Sequence, residues 1–370
     1  FAKDYDSARS LFLERALKLR KQNIEATVSG YKVGKAADKE NASGVDLVTD
    51  YLIVRGSKKK FMITFSGTHG VEGYAGSAVH VSVMDYLLGN KALMNRYTEA
   101  SVLRDQERLS SGEGDEEGID EMSLPPTIVI VHIVNPFGMA NNRRVNEDNI
   151  DLNRNYLHKQ LWDVALGREP NHAGYETASF FMNPTRMPTP FLILNDLYDY
   201  VMAATVILTM GVEGYKKALL AGNYHNPLGQ GYGGNKLAAS AKNMIKLIDE
   251  IDVSAAEKVS FVDLHTGLGP SGSDTLALLG SAKHKEKGIE QFNDYLEESF
   301  PEESDPEQPS WWGGRKAITS GSRKEGTPMS GYDLTIGSTS DEYCNHFLAP
   351  HLAKGNNLVC VTQEFGTLPQ

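Results

Sequence analysis

Four residues in three separate segments have side chains that could bind and use a metal ion. His69 and Glu72 lie three residues apart in SGTHGVEG, His265 lies in FVDLHTGLG, and Glu364 lies in TQEFGT. Zinc binds imidazole nitrogen and carboxylate oxygen, and a catalytic site uses three protein ligands so that a fourth position stays open for water. Two His and one Glu meet this requirement and leave a second carboxylate for catalysis. The set predicts a zinc site, although a His-x-x-Glu pair by itself is more often a solvated turn.

The elements that would position these residues are four short apolar runs, each ending in a polar or Gly-rich turn. They are KFMITFSGTHG, TIVIVHIVNPFG, KVSFVDLHTGLG and NLVCVTQEFGT. Such runs are typical of buried strands, and helical stretches lie between them. The pattern predicts an α/β fold with a mixed, mostly parallel central sheet flanked by helices. Ligands bind at the carboxyl ends of strands in open α/β sheets, so the residues after the four strands should meet at one edge.

Composition restricts the class of partner. The chain of 370 residues is 40% hydrophobic and carries a formal net charge of -11. Net acidity argues against nucleic-acid binding, which needs clustered Lys and Arg, and favours a small-molecule or peptide substrate. No apolar run is expected to approach the roughly 20 residues that a membrane helix needs.

Localisation is inferred from two further features. The N-terminal stretch FAKDYDSARSLFLERALKLRKQ is charged and amphipathic, unlike a secretory signal. The two cysteines, Cys344 and Cys360, form no Cys-x-x-Cys pair, which fits two free buried thiols in a reducing compartment better than a disulfide. These features predict a cytoplasmic protein. The oligomeric state is not readable from the sequence.

The chain shows no internal repeat and no clear domain boundary, so residues 1–370 are expected to form a single catalytic domain. The acidic tract 104–125 predicts a surface loop. The segment 301–330 is rich in Pro, Gly, Ser and charge. It could form a flap beside the site, a contact surface, or a structured excursion that packs the Trp311-Trp312 pair.

A further motif, NPFGMANNRRVNEDNIDLNRNY, follows the second of the four predicted strands. It contains Arg144, Asn153 and Arg154. Arginine presents a planar fork of donors that suits carboxylates and oxyanions, so an Asn-Arg pair is a natural clamp for a substrate carboxylate.

With this motif the chain resembles the zinc carboxypeptidase (M14-like) superfamily, which includes the aspartoacylase and succinylglutamate desuccinylase branches. The resemblance rests on four islands in order: His69-x-x-Glu72, the NPFG to Asp151-Leu152-Asn153-Arg154-Asn155 run, His265 after a strand, and Glu364 near the C-terminus. Within the superfamily, GTHGVEGYAGS, GQGYGG and EFGT are most similar to the DUF2817 group.

The resemblance implies a role for each matching residue. His69, Glu72 and His265 would bind one zinc ion, and Glu364 would be the general base. Arg144 would stabilise the oxyanion, with Arg143 as its competitor, and Asn153 and Arg154 would bind a terminal carboxylate. The family also has a mobile tyrosine, for which Tyr232 and Tyr332 are the candidates. Long insertions between Glu72 and His265 leave the substrate open.

The resemblance therefore implies a zinc-dependent hydrolase of an amide next to a free carboxylate, either a carboxypeptidase or an N-acyl-amino-acid deacylase. The alternatives are a non-catalytic binding protein on the same fold and a zinc esterase. The same ligands also accept manganese, cobalt or iron.

Two other chemistries have weaker support. Gly229-x-Gly231-x-x-Gly234 matches a dinucleotide fingerprint, but a poor strand precedes it, so a substrate-facing loop with Tyr224, His225 or Tyr232 is preferred. No Gly-x-Ser-x-Gly elbow follows a strand.

Overall fold

The chain alternates between strands and helices, which this computed structural model describes for residues 2–35, 46–109, 120–184, 192–267, 271, 274–277, 315–318 and 334–367. The strands are β1 (Ala26–Lys35), β2 (Asp46–Val54), β3 (Ser57–Ser66), β4 (Pro126–His132), β5 (Lys258–Thr266), β6 (Asp274–Ala277), β7 (Arg315–Ile318) and β8 (Asn357–Phe365). The α-helices are α1 (Tyr5–Arg20), α2 (Gly73–Gly89), α3 (Lys91–Leu109), α4 (Pro136–Ala140), α5 (Lys159–Leu166), α6 (Tyr175–Met182), α7 (Leu192–Ala221) and α8 (Ala239–Ile251). Short 3₁₀ turns lie at Gly70–Glu72, Leu152–Arg154, His172–Gly174 and Ala349–His351, and a π-helix at Thr339–Leu348.

The strands form one sheet in the order β1-β2-β4-β3-β5-β8-β6-β7. Its centre consists of β4, β3, β5 and β8, which are parallel to one another, while β2 and β6 pair antiparallel with β4 and β8. These central strands are the four apolar runs recognised in the sequence. The prediction of an α/β fold with a mixed, mostly parallel central sheet is confirmed.

Helices bury both faces of this sheet. On one face, α8 and the π-helix pack on β3 and β5 through side chains such as Met244, Tyr343, Phe65 and Phe261. On the other face, α1, α2 and α3 pack on β2 and β4. Strands covered on both faces need apolar residues throughout, which explains the continuous apolar runs.

The π-helix is linked covalently to the sheet. Cys344 in the π-helix and Cys360 in β8 form a disulfide, so the prediction of two free thiols is wrong. The two cysteines lie 16 residues apart on elements that pack against each other, which sequence spacing alone does not reveal. Because disulfides are typical of oxidising surroundings, the argument for a reducing compartment from unpaired thiols loses its basis.

Helix α7 corrects a second prediction. Its Ile193–Ala221 part is long and apolar enough to cross a membrane, so the expectation that no run has this character is wrong. Thr205, Thr209 and small residues interrupt the stretch, which hides it from a search for unbroken apolar runs. Gly211, at φ 72° and ψ 166°, breaks the helical geometry within it.

The two predicted surface segments are described in part. Residues 104–109 of the predicted acidic loop continue α3, whereas 110–119 lie outside the described residues. Within the predicted flap 301–330, the described part is the short strand β7. The flap itself, like the assignment of residues 1–370 to a single domain, stays a prediction.

Gly76 lets α2 approach the end of β3, and this contact is testable. A Cβ atom at Gly76 would lie 2.3 Å from Ser66 Cβ, whereas one at Gly89, the last residue of α2, would meet nothing within 4 Å. We expect Gly76→Ala to lower the free energy of unfolding by about 1–3 kcal/mol because of this overlap. Gly89→Ala should leave it unchanged or raise it by up to about 1 kcal/mol. Urea denaturation measures both, and equal stabilities of the two variants would contradict the packing.

Candidate metal centre

Two glycines, Gly67 and Gly70, allow the turn after β3 to place His69 at the edge of the sheet. Gly67 has φ +63°, and a Cβ there would lie 3.0 Å from the Ile133 side chain. A Cβ on Gly70 would lie 2.2 Å from the backbone carbon of Gly138. Glycine at both positions therefore allows the sharp reversal after the strand and the close packing of the loop. His69 precedes the 3₁₀ turn Gly70–Glu72, which places Glu72 on the same side three residues later.

His265 and Glu364 come from adjacent parallel strands. His265 lies in β5 and is the register partner of Glu364 in β8. Because side chains alternate along a strand and register partners share a face, both side chains project from the same face of the sheet. The backbone N–H of Thr266 donates a 2.8 Å hydrogen bond to Glu72 Oε2, which ties the two segments together.

The side chains of His69, Glu72 and His265 converge on one point. Their ligand atoms all lie within 4.8 Å of one another. The Nδ1 atoms of the two imidazoles are 3.1 Å apart, and the Glu72 oxygens lie 2.9 Å from His69 Nδ1 and 3.3 Å from His265 Nδ1. Both histidines are buried. The three predicted ligands are thus brought together with one nitrogen of each ring facing the carboxylate.

Two buried aspartates lie behind the imidazole rings. Asp263 Oδ2 is 2.7 Å from His265 Nε2, and Thr68 Oγ1 donates to the same carboxylate. Asp151 Oδ1 lies 3.3 Å from His69 Nε2, an atom that makes no well-aligned hydrogen bond to a described residue. A carboxylate behind a ring nitrogen favours the proton on that nitrogen and leaves Nδ1 as the electron-pair donor.

The charges of this cluster depend on one another. Burial raises the pKa of Glu72, but the charges and hydrogen bonds of His69 and His265 outweigh it and hold the pKa well below its usual value. Burial lowers the pKa of His265, yet Asp263 and Glu72 raise it well above the ordinary value. The pKa of Asp151 falls because Arg144 and His69 outweigh its burial. The carboxylates are therefore ionised, and positive charge at their centre is favoured.

This donor set fits a zinc ion. The site offers three electron-pair donors: two imidazole nitrogens and one carboxylate oxygen. They face one another within hydrogen-bonding distance, and one shared cation would satisfy all three. Asp151 and Asp263 are the carboxylate partners that metal-bound histidines ordinarily have. The residues that would hold the ion are His69, Glu72 and His265.

Arg144 lies at the rim of this cluster. Its Nε donates a 3.0 Å hydrogen bond to Asp151 Oδ2, and its Nη1 lies 3.7 Å from Glu72 Oε1. Asn135, the residue before α4, donates a 3.2 Å hydrogen bond from its side-chain amide to the backbone carbonyl of Arg144. Arg143 is exposed, and its carbonyl accepts from Val71 N. Of the two arginines, Arg144 is the one whose side chain reaches the cluster.

Asn153 and Arg154 lie in the 3₁₀ turn Leu152–Arg154 that follows Asp151. The Arg154 guanidinium is buried and donates from Nε to Leu220 O and from Nη1 to Asn153 O. The Asn153 side-chain oxygen accepts from Thr339 N at 2.9 Å. Both side chains are thus held in place by backbone groups of neighbouring elements.

A pocket of about 300 Å³ joins these groups. It is lined by His69, Glu72, Arg144, Asp151, Asn153, Arg154, Leu219, Leu220, Gln230, Gly231, Thr266, Gly267, Thr335, Ser338, Asp341, Thr362 and Glu364. Arg143 and Tyr232 do not line it. Tyr232 is buried in the core beside α8, and Tyr332 lies outside the described residues.

Sequence reasoning missed three contributors to the pocket. Asp151 carried a signal, because it opens the Asp-Leu-Asn-Arg run, but its contact with His69 is visible only in three dimensions. Ser338 and Asp341 lie at the start of the π-helix, where nothing in the sequence pattern pointed to the pocket. The GQGYGG loop contributes Gln230 and Gly231 rather than its tyrosine.

A family model matches almost the whole sequence. Residues 1–103 and 117–370 match the family described as "Protein of unknown function (DUF2817)". The chain belongs to this DUF2817 family. No curated protein matches it.

Solved structures similar to this DUF2817 protein include metallo-carboxypeptidases from Burkholderia cenocepacia (12% identity, TM-score 0.44) and from Pseudomonas aeruginosa in complex with (2-guanidinoethylmercapto)succinic acid (12%, 0.42). Each comparison covers 97% of this chain and 59% of the other. An aspartoacylase family protein from Mesorhizobium loti is 12% identical, with a TM-score of 0.34, over 94% of this chain and 63% of the other. The chain thus spans about three fifths of the length of these proteins.

The aspartate behind His265 should tune metal affinity. We expect Asp263→Asn to weaken zinc binding by about 10- to 100-fold, because the amide keeps the shape but loses the charge that makes the imidazole a stronger donor. Competition with a fluorescent chelator measures the affinity. Asp105→Asn on the exposed face of α3 is the matched control and should bind zinc like wild type. Equal affinities of the two variants would contradict the role of Asp263.

Proposed function

We propose that this DUF2817 protein is a zinc-dependent hydrolase that cleaves an amide bond next to a free carboxylate. The observation that carries the proposal is the shared pocket. A convergent His-Glu-His trio, a separate carboxylate on the adjoining strand and two arginines line one cavity of about 300 Å³. This combination supplies a metal site, a base and two anion-binding groups, which amide hydrolysis requires.

Each protein group has a separate task in this proposal. A zinc ion held by His69, Glu72 and His265 would act as a Lewis acid that activates water and polarises a carbonyl. Glu364 would accept the proton of the attacking water and then transfer it to the departing amine. Its place beside His265 on the next strand supports this task, since the base must lie next to the metal ligands.

Arg144 would stabilise the negative charge that develops on the carbonyl oxygen. Asp151 fixes its Nε, which orients the guanidinium towards the cluster before substrate arrives. Donors held in position before the reaction contribute most to stabilisation of the transition state, because they need no reorganisation.

Asn153 and Arg154 would bind the substrate carboxylate. Arg154 donates from Nε to the carbonyl of Leu220 and from Nη1 to the carbonyl of Asn153, whereas its Nη2 has no hydrogen bond to the described residues. The pocket volume is at the lower end for small-molecule sites, which favours one amino-acid-sized group over a long peptide on this side of the scissile bond.

Glu364→Gln separates catalysis from metal binding. We expect this variant to bind zinc as wild type does and to lose at least ~100-fold in kcat, because the amide cannot accept the proton. Zinc content by elemental mass spectrometry and turnover of a panel of N-acyl amino acids and C-terminal dipeptides measure the two properties. The matched control is Gln363→Glu, which places a carboxylate one residue earlier on the opposite face of β8 and should not alter either property through the site.

The same panel tests the substrate assignment. Each substrate is paired with its C-terminal carboxamide, which lacks the charge that Arg154 would bind. Wild type should hydrolyse the free acids at least ~100-fold better in kcat/KM, because loss of a charge-assisted pair leaves the buried guanidinium unmatched. Equal turnover of acid and carboxamide would remove the carboxylate from the proposal. Zinc binding without turnover of any amide or ester would favour a binding protein.

A further inference from the structure

The segment 335–342 lies directly behind Asn153 and Arg154, the two residues proposed to bind the substrate carboxylate. The backbone N–H of Thr339 donates a 2.9 Å hydrogen bond to Asn153 Oδ1. Gly337, at φ +79°, approaches so closely that a Cβ atom there would lie 2.4 Å from Arg154 O. Because the Asn153 oxygen is held from behind, its amide nitrogen is the donor that would face a substrate. The position of this segment therefore sets the position of the carboxylate-binding groups.

Glu342 holds this segment through Ser338. Both the backbone N–H and the hydroxyl of Ser338 donate to Glu342 Oε2, at 2.8 and 3.0 Å. Ser338 is the residue before the π-helix Thr339–Leu348, and Glu342 lies in the first turn of that helix. The first N–H groups of a helix have no partner within it, and an ionised carboxylate is a stronger acceptor for them than a neutral group. Glu342 thus fixes Ser338, and the next N–H along the chain is the one that binds Asn153.

Glu342 is buried behind the pocket and would affect a substrate through its neighbours. It is 7% exposed and does not line the pocket, whereas Ser338 does. Burial and the charge of Asp341 raise the pKa of Glu342 to about 7, although the hydrogen bonds from Ser338 lower it. Arg168, which follows α5, and Tyr224 also interact with it electrostatically. The carboxyl group therefore changes its charge near neutral pH.

We propose that Glu342 is a positioning residue that keeps Asn153 in its carboxylate-binding orientation, acting through Ser338 and Thr339. This role rests on the proposed function, since Asn153 has its task only if the substrate carries a free carboxylate. Ionised Glu342 accepts the hydrogen bonds of Ser338 more strongly than protonated Glu342 does. The contribution of Glu342 to the affinity for a free acid should therefore be full above the pKa of about 7 and be lost as the pH falls through it.

Isothermal titration calorimetry on the zinc-loaded full chain tests this role. The parent protein for the test is Glu364→Gln, which prevents turnover. The probes are N-acetyl-leucine, N-acetyl-aspartate and N-acetyl-lysine, each as the free acid and as the carboxamide. At about pH 8, adding Glu342→Gln should weaken binding of the free acids about 10-fold, because the amide keeps the shape but loses the charge. Binding of the carboxamides should change less than about 2-fold.

Glu121→Gln is the matched control for removing a largely buried carboxylate. The Glu121 side chain is 12% exposed and accepts a 2.5 Å hydrogen bond from the backbone N–H of Lys58. Lys58 lies near the start of β3, whereas the pocket lies beyond its end. This control should bind the free acids as the parent does.

Two further measurements separate positioning from general damage to the fold. At about pH 6, Glu342 in the parent is mostly protonated, so parent and Glu342→Gln should bind the free acids within about 2-fold of each other. In an Asn153→Ala background, Glu342→Gln should cost less than about 2-fold at about pH 8, because the residue through which it acts is gone. A merely structural defect would persist in both experiments. Ser338→Ala removes one of the two hydrogen bonds and should repeat part of the loss, about 3-fold at about pH 8.

The outcomes distinguish this role from the proposed function. A parent that binds no free acid, or binds acid and carboxamide equally, would reject the substrate carboxylate and the role of Glu342 with it. A parent that prefers the free acid would leave the proposed function standing. In that case, Glu342→Gln that binds as tightly as Glu121→Gln, or that keeps its full loss at about pH 6, would overturn the role of Glu342 alone. Thermal unfolding followed by circular dichroism confirms that each variant is folded.

Discussion

The candidate site is organised around two imidazole nitrogens and one carboxylate that converge on a buried point. Three electron-pair donors this close repel one another unless positive charge lies between them. The outer carboxylates of Asp263 and Asp151 orient the two rings, and the backbone N–H of Thr266 donates to the Glu72 carboxylate. The glycine turn after β3 and the parallel pairing of β3, β5 and β8 are the features that hold the donors there.

This constraint explains why the central part of the fold could be predicted. A parallel sheet covered by helices on both faces requires continuous apolar strands, and its polar residues must follow the strands at one edge. The runs before His69, His265 and Glu364 have this form, and the structure makes them neighbours. The helix Gly73–Gly89 is one of the helical stretches expected between the strands, and no proline interrupts its 17 residues.

The parts that could not be predicted depend on contacts between segments distant in sequence. The Asn153 side chain is fixed by Thr339, 186 residues later, and no local pattern encodes this pairing. The Cys344–Cys360 disulfide joins a π-helix to a strand, and neither the π-helix nor its packing is visible in spacing. Tyr232 was a candidate for the pocket because it lies in a Gly-rich loop, yet the loop turns its backbone to Asp151 and buries the ring in the core.

The central claim is that His69, Glu72 and His265 bind zinc, and metal stoichiometry tests it most directly. Elemental mass spectrometry on purified protein, after addition and removal of excess zinc, should find about one zinc ion per wild-type chain and almost none in His265→Ala. His225→Ala, which removes an exposed imidazole outside the cluster, should keep the metal. A wild-type chain that refuses zinc, or a His265→Ala variant that keeps it, would contradict the account.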